Sequence, residues 1–342
     1  MMSRKLRVPA LVTAALLAFL AAGCGAGGNP GTAGGPALQK VGNLEKTSLN
    51  VAVLANTDSA GFFVALHEGL FAAEGLQVHY TPAFSDNIIA AQAKGSYDIT
   101  GMNYVSYIQA QLHHVADLHI FAEGSLLRQD TDVIMAMPHS KFQSLDSLRG
   151  HVLGVNTTVN IGYLLVASLL SENGLTTKIT PRYSAGAVML PGDPLFPFPA
   201  SQPLVDGKVA AVVMSEPFAT ELAQQYGATV IADTDSGATS QFPILGYAAT
   251  KTWAKANPNT LKAFDIALQA GQEIADTDRA AAEAAFVALP QGQGHVDQVT
   301  AAEMALSSYP LGVTPVRLQR VADVMLQFGL LKKSFDVQQL LY

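Results

Sequence analysis

Apolar and polar positions alternate over residues 49–82 in a way that predicts a strand, a turn, a helix and a second strand. Residues 50–54 form a short apolar run with β-branched Val51 and Val53, which is typical of a buried strand. The run stops at residues 56–59, whose Asn, Thr, Asp and Ser side chains favour the start of a helix. In α/β proteins, a turn of this kind faces a crevice where ligands bind, so it is the first candidate binding site.

The same alternation continues along the chain. A second polar turn at residues 156–160 precedes a predicted helix at 161–172. The strand predicted at 132–137 is interpreted as a crossing between two lobes, and the chain after residue 250 is almost wholly helical. Further strands are predicted at 97–100, 118–122, 152–155, 209–214 and 244–250. Strands that alternate with helices predict an α/β protein.

A proline-rich segment at residues 186–203 interrupts this pattern. Its five prolines exclude a helix or an interior strand. Two interpretations stay open: a stiff loop that covers a ligand cleft, or a surface insertion without a role.

The amino terminus has the pattern of an export signal. Arg4, Lys5 and Arg7 precede an apolar stretch at 8–20 that is shorter than the roughly 20 residues needed to span a bilayer. The stretch ends at Leu-Ala-Ala-Gly-Cys, which resembles a bacterial lipobox and makes Cys24 the predicted lipidation site. We therefore predict a signal peptide at 1–23 and a flexible Gly/Pro/Ala tether at 24–47.

Composition narrows the function further. Cys24 is the single cysteine of the 342 residues, so the chain cannot form an internal disulfide. The net charge of −7, together with the absence of a Lys/Arg run in the mature part, argues against nucleic-acid binding. The length and the 49% apolar content suit a globular protein of two domains.

Four segments together resemble one family. The chain is similar to the NMT1/THI5-like and sulfonate/nitrate/taurine group of solute-binding proteins, which deliver nutrients to ABC importers, over about residues 48–280. The segments are GFFVALHEGLFAAEGL at 61–76, GSYDITGMNY at 95–104, SLDSLRG at 144–150 and GKVAAVVMSEP at 207–217.

This resemblance implies a type II periplasmic-binding-protein fold with two α/β lobes and two crossovers. Lobe 1 would comprise residues 48–137 and 246–342, with the C-terminal helices packed on it, and lobe 2 would comprise residues 138–245. The implied function is capture of a small solute in the cleft between the lobes, without catalysis, cofactor or metal. The implied partners are an ABC permease and its ATPase, and the protein would be a monomer, anchored by lipid outside the cytoplasm.

The predicted ligand site gathers hydroxyl, amide and backbone donors from the helix-starting turns, with aromatic rings as an apolar wall. Each polar residue has the alternative role of a helix cap, and Tyr104 that of a core residue. The predicted ligand-binding residues are Asn56, Thr57, Asp58, Phe62, Asn103, Tyr104, Asn156, Thr157, Thr158, Asn160, Tyr163, Ser215 and Glu216.

The ligand class stays open between two branches. Residues 56–63 resemble the thiamine-pyrimidine-precursor branch, whereas the Thr-rich turn at 156–160 is closer to the sulfonate/taurine branch. The carboxylate of Glu216 is suited to an amino or ring N–H group, or alternatively complements the helix dipole. The candidate turns contain no arginine, which disfavours a multiply charged anion and leaves a neutral or singly charged organic molecule.

Other chemistries have little support in the sequence. The spacing of the histidines at 113, 114 and 119 fits no familiar zinc pattern. No P-loop or GxSxG motif is present, and no GxGxxG motif lies at a predicted strand-helix junction. Two alternatives to import remain: an enzyme of the same fold family, and a ligand-sensing lipoprotein.

Overall fold

The computed structural model describes residues 41–83, 87–155, 160–175, 178–181 and 201–341. The predicted signal peptide, Cys24, residues 24–40 of the predicted tether and most of the proline-rich segment lie outside the described residues. The described end of the proline-rich segment begins the helix Ser201–Val205, so the prediction that this segment contains no helix is wrong at its end, where Pro203 lies in the first helical turn.

Strands and helices alternate along most of the described chain. The strands are β1 (Ser48–Leu54), β2 (Gln77–Ala83), β3 (Ile99–Asn103), β4 (Leu118–Leu126), β5 (Asp132–Ala136), β6 (Val152–Val155), β7 (Lys178–Pro181), β8 (Ala211–Ser215), β9 (Thr229–Asp233) and β10 (Pro243–Thr250). The helices are α1 (Ala60–His67), α2 (Leu70–Ala73), α3 (Asn87–Ala93), α4 (Tyr104–Leu112), α5 (Ile161–Glu172), α6 (Ser201–Val205), α7 (Phe218–Tyr226), α8 (Lys251–Ala256), α9 (Pro258–Thr277), α10 (Arg279–Ala288), α11 (Gln298–Glu303), α12 (Pro315–Gln327) and α13 (Gln338–Leu341).

The strands form two five-stranded sheets. Sheet A has the order β2-β1-β3-β10-β4, with β1 parallel to β2 and β3, and β10 antiparallel to β3 and β4. Sheet B has the order β7-β6-β8-β5-β9, with β6 parallel to β7 and β8, and β5 antiparallel to β8 and β9. The predicted α/β class is thereby confirmed.

The chain changes sheets twice, at positions that differ from the predicted boundaries. The prediction assigned residues 132–136 to the first lobe, but β5 pairs with β8 and β9 in sheet B, so the first crossing lies at 127–131. The return crossing lies at 234–242, because β10 already belongs to sheet A at Pro243. Residue pattern alone could not make this assignment, since an apolar strand reads the same in either sheet.

The helices after β10 pack mainly on sheet A and its helices, as predicted. Helix α9 crosses α1 at Gly61 and Gly271, where a Cβ on Gly271 would collide with the backbone carbonyl of Gly61. Two glycines facing each other therefore let the helix backbones approach closely. Residues of α10, α12 and α13 complete the same core.

Two local features depart from the predicted pattern. The single helix predicted between the turn at 56–59 and the second strand is divided into α1 and α2, because Gly69 adopts a left-handed conformation with φ of +70°. Residues 41–47, predicted to be tether, are held on the folded part: the backbone N–H of Lys46 donates to Thr260 Oγ1 at 3.0 Å, and its side chain pairs with Asp98 at 2.7 Å.

Candidate functional site

The turn after β1 meets the turn after β8, so the strand ends of the two sheets come together. The backbone N–H of Thr57 donates to the carbonyl of Glu216 at 3.0 Å, and Thr57 Oγ1 donates to the same oxygen at 3.3 Å. On the other side, the hydroxyl of Tyr309 donates to the Thr57 carbonyl at 2.7 Å. Thr57 is therefore fixed at the contact between the two halves of the molecule.

The carboxylate of Asp58 is buried beside this contact. Its Oδ1 accepts hydrogen bonds from Ser125 Oγ at 2.8 Å and Ser307 Oγ at 3.0 Å. Its Oδ2 accepts from Asn56 Nδ2 at 2.7 Å. Burial raises the pKa of Asp58, and these three neutral donors oppose the rise.

A second buried carboxylate, Asp132, comes from sheet B. Strand pairing places Asp132 opposite Ser215, whose hydroxyl donates to Asp132 Oδ1 at 2.5 Å. Burial raises the pKa of Asp132 well above its ordinary value, and the negative charge of Asp58 raises it further. The two aspartates, one from the turn after β1 and one from β5, therefore influence each other electrostatically.

Glu216 contributes its backbone to the contact and its carboxylate to the start of α7. The carboxylate accepts hydrogen bonds from the backbone N–H of Thr220 at 3.2 Å and from its hydroxyl at 2.9 Å. Burial raises the pKa of Glu216 to about 7. Asp58, Asp132 and Glu216 are together called the acidic junction below.

Comparison with known proteins identifies the family. The family model described as NMT1/THI5 like matches residues 56–282, which is more than half of the chain. The chain belongs to the NMT1/THI5-like family. A search of curated proteins finds no match to this chain.

Solved structures share the fold of this NMT1/THI5-like protein. The periplasmic nitrate-binding protein NrtA from Synechocystis PCC 6803 matches with a TM-score of 0.69 and 13% identity, over 87% of this chain and 86% of that chain. The aliphatic sulphonate-binding protein SsuA from Escherichia coli gives 0.63 and 18%, over 86% and 97%. SsuA from Xanthomonas axonopodis pv. citri, bound to MOPS, gives 0.66 and 15%, over 87% and 99%. The predicted type II periplasmic-binding-protein fold is thereby confirmed.

Two predicted site residues of the NMT1/THI5-like chain make contacts with other residues of the protein. Phe62 is fully buried in the core of the first sheet, 5.5 Å from the ring of Phe71 and 5.7 Å from that of Tyr80. Asn103 caps α4, since its Oδ1 accepts from the backbone N–H of Ser106 at 2.9 Å. The contact of Asn103 is the helix cap that the sequence left as an alternative, whereas no core role was predicted for Phe62.

Contacts within the protein are less complete for three other predicted site residues, Tyr104, Asn160 and Tyr163. The buried Tyr104 hydroxyl has no hydrogen-bond partner among the described residues, and its ring lies where a Cβ on Gly246 would stand. Asn160 precedes α5 with a buried Oδ1 that also lacks a described partner, and Tyr163 on α5 is half-buried. The predicted ligand-binding residues Asn156, Thr157 and Thr158 lie outside the described residues.

Four residues of the site were missed from the sequence. Asp132 begins an otherwise apolar strand, which is a usable signal for a buried carboxylate. Ser125 lies inside β4, and Ser307 and Tyr309 follow α11, about 250 positions from Asp58. Only tertiary folding brings these last three to the turn after β1.

Two further properties of the described residues concern metals and membranes. No group of three or more His, Cys, Asp or Glu side chains in the described ranges is arranged to hold a metal ion. Among the helices of this part of the chain, none combines the length and apolar composition required to cross a bilayer.

Proposed function

We propose that this protein is the extracytoplasmic solute-binding component of an ABC importer and that it captures a small organic solute between its lobes. The contact between Thr57 and Glu216 carries the proposal, because it brings strand ends of both sheets to one place. Ligands of open α/β sheets bind at such strand ends. Membership of the NMT1/THI5-like family and the fold shared with nitrate- and sulphonate-binding proteins support it.

The proposed solute contacts come from both halves of the molecule. Asn56, Thr57 and Asp58 would act from the turn after β1, with Ser215 from the end of β8. The proposed contribution of the second polar turn is Asn156, Thr157, Thr158 and Asn160, and the rings of Tyr104 and Tyr163 are proposed as the apolar wall. Binding needs no covalent step, so the bound compound should leave unchanged.

The solute is proposed to be held by closure of the two lobes about the crossings at 127–131 and 234–242, in a form that a permease recognises. Each crossing is a short segment that joins two separately packed sheets. The permease and its ATPase are the proposed partners of a monomeric binding protein.

Export and lipid attachment at Cys24 are the proposed means of keeping the protein at the membrane. Metabolic labelling with an alkyne fatty acid tests this. The wild-type protein should take up label and sediment with membranes, whereas Cys24→Ala should do neither. Label on the Cys24→Ala protein would contradict the assignment.

A thermal-shift panel of sulfonates, nitrate, thiamine precursors, flavins and amino acids tests the binding function. A solute at 100 times its Kd should add about 2.7 kcal/mol to the free energy of unfolding. Mass spectrometry of the recovered compound separates binding from catalysis, since an altered compound would point to an enzyme. Failure of every class to shift the melting temperature would contradict the proposal.

A further inference from the structure

The acidic junction lacks a basic partner within the described chain. Six ion pairs between basic and acidic side chains occur in the described residues, and none includes Asp58, Asp132 or Glu216. Three acidic groups, Asp58, Asp233 and Glu216, raise the pKa of Asp132 in addition to burial. A buried carboxyl group is costly to ionise unless a cation lies beside it. Without a cation, burial favours the protonated form.

The hydrogen-bond donors around the two aspartates are neutral side chains. Ser125, Ser307 and the Asn56 amide donate to Asp58, and Ser215 donates to Asp132. Neutral donors compensate a carboxylate less well than a charged donor does. The site is therefore rich in acceptors and poor in positive charge.

Asn56 adds an acceptor that has no described partner. Asn56 is 9% exposed, and its Oδ1 is buried without a hydrogen bond among the described residues. The orientation of this amide is set by Asp58, because only the Nδ2 end can donate to a carboxylate oxygen. The carbonyl end of the Asn56 amide is thus left beside the acidic junction, needing a donor.

We propose that the solute carries a protonated nitrogen, such as an amine or amidine, which binds between Asp58 and Asp132 and donates a hydrogen bond to Asn56 Oδ1. This inference rests on the proposed function and specifies the charge of its solute. It distinguishes this chain from the matched structures described as nitrate- and sulphonate-binding proteins, which take anions. Identities of 13% and 18% leave room for such a change of charge within one fold.

Charge-separated nutrient fractions test the inference while the identity of the solute is still open. Yeast extract is divided by ion exchange at pH 7 into cationic, neutral and anionic fractions. The dialysed full-length protein is mixed with each fraction, its thermal shift is recorded, and bound compounds are identified by native mass spectrometry. Magnesium and zinc chloride form two further arms. We expect the cationic organic fraction to give the shift and to yield a bound compound containing a basic nitrogen.

Two matched variants test whether the charge of Asp132 contributes to binding. Asp132→Asn should weaken binding of the recovered compound at least tenfold, because the variant keeps the shape of the side chain and loses its charge. Asp265→Asn is the control: Asp265 on α9 is also an aspartate whose pKa is raised by burial, and its carboxylate bonds to Gln269 instead. This control should bind as the wild type does.

A measurement on the wild-type protein covers the case in which Asp132→Asn fails to fold. Calorimetric titration with the recovered compound in phosphate and in Tris reports the protons exchanged on binding. A cation that takes the place of protons among Asp58, Asp132, Asp233 and Glu216 should release protons. Proton uptake, or no proton exchange, would contradict the inference.

The outcomes separate the inference from the proposed function. Binding from the neutral or anionic fraction, or of a metal ion alone, overturns the protonated-nitrogen assignment and leaves solute binding intact. Equal binding by Asp132→Asn and the wild type also overturns it. Failure of all fractions to bind contradicts the proposed function itself.

Discussion

Two buried carboxylates of this protein differ in whether a basic side chain lies beside them. Glu123, in β4 of sheet A, is 2% exposed and receives a resident cation, since Arg317 Nη2 lies 2.7 Å from its Oε2. Asp132, in β5 of sheet B, is 5% exposed and is influenced by other acids instead. The chain thus supplies a cation for Glu123. Where it supplies none, at the junction of the two sheets, we infer that the solute supplies the cation.

The largest expected effect on stability comes from removing the arginine that pairs with Glu123. Arg317→Ala should lower the free energy of unfolding by about 3 kcal/mol, because it leaves Glu123 buried without its cation. Urea denaturation measures the loss. Arg149→Ala is the control, since the pair of Arg149 with Asp146 is exposed on both sides and should contribute less than about 1 kcal/mol. Equal losses in the two variants would contradict the contrast.

At the acidic junction, removing a charge is expected to raise the free energy of unfolding. A carboxyl whose pKa is higher in the folded than in the unfolded protein loses stability as the pH rises above its ordinary pKa. Asp132 has such a raised pKa, so Asp132→Asn should raise the free energy of unfolding at pH 7 by about 1 kcal/mol, with little effect near pH 3. Melting temperatures across this range measure the gain. A variant less stable than the wild type at pH 7 would contradict this expectation.

Ionisation of Glu221 is expected to add to the pH dependence of stability in the same region. Burial raises the pKa of Glu221 to about 8, with further contributions from Asp297 and Glu216. Glu221→Gln should therefore be more stable than the wild type at pH 8 by up to about 1 kcal/mol, and equally stable below pH 4. Thermal melts at both pH values measure the difference. A gain of the same size at both would mean that ionisation is not its cause.

The smallest effect is expected at the contact between the turns. Thr57→Val removes the 3.3 Å hydrogen bond from Oγ1 to the Glu216 carbonyl and keeps the shorter backbone bond of 3.0 Å. The expected loss of stability is about 0.5 kcal/mol, measured by urea denaturation. A loss above about 2 kcal/mol would assign the hydroxyl a larger role in joining the lobes than its geometry indicates.

Local pattern and family resemblance predicted most of the strands and helices. The apolar run of β1 followed by Asn56, Thr57 and Asp58 indicated one half of the candidate site, because strand ends in α/β sheets have a fixed relation to ligand crevices. The same pattern predicted Phe62 as part of the ligand wall, and the structure buries its side chain. Phe62 lies only four positions beyond Asp58, and the rotation of the helix directs it into the core.

The other half of the site depends on pairing between distant segments. Asp132 belongs to the junction only because β5 joins sheet B and faces Ser215 there. Ser307 reaches Asp58 across 249 positions of the chain. Neither relation leaves a local trace in residue spacing, so the acceptor-rich character of the junction emerges only from the folded structure.

Infrared difference spectroscopy of the dialysed protein, wild type minus Asp132→Asn at pH 6, tests most directly whether the acidic junction lacks a resident cation. A protonated carboxylic acid has a carbonyl stretch that an ionised carboxylate lacks. We expect this band in the solute-free wild type, and we expect it to disappear when the cationic compound binds. A difference spectrum that contains only ionised carboxylate, with no change on binding, would contradict both expectations.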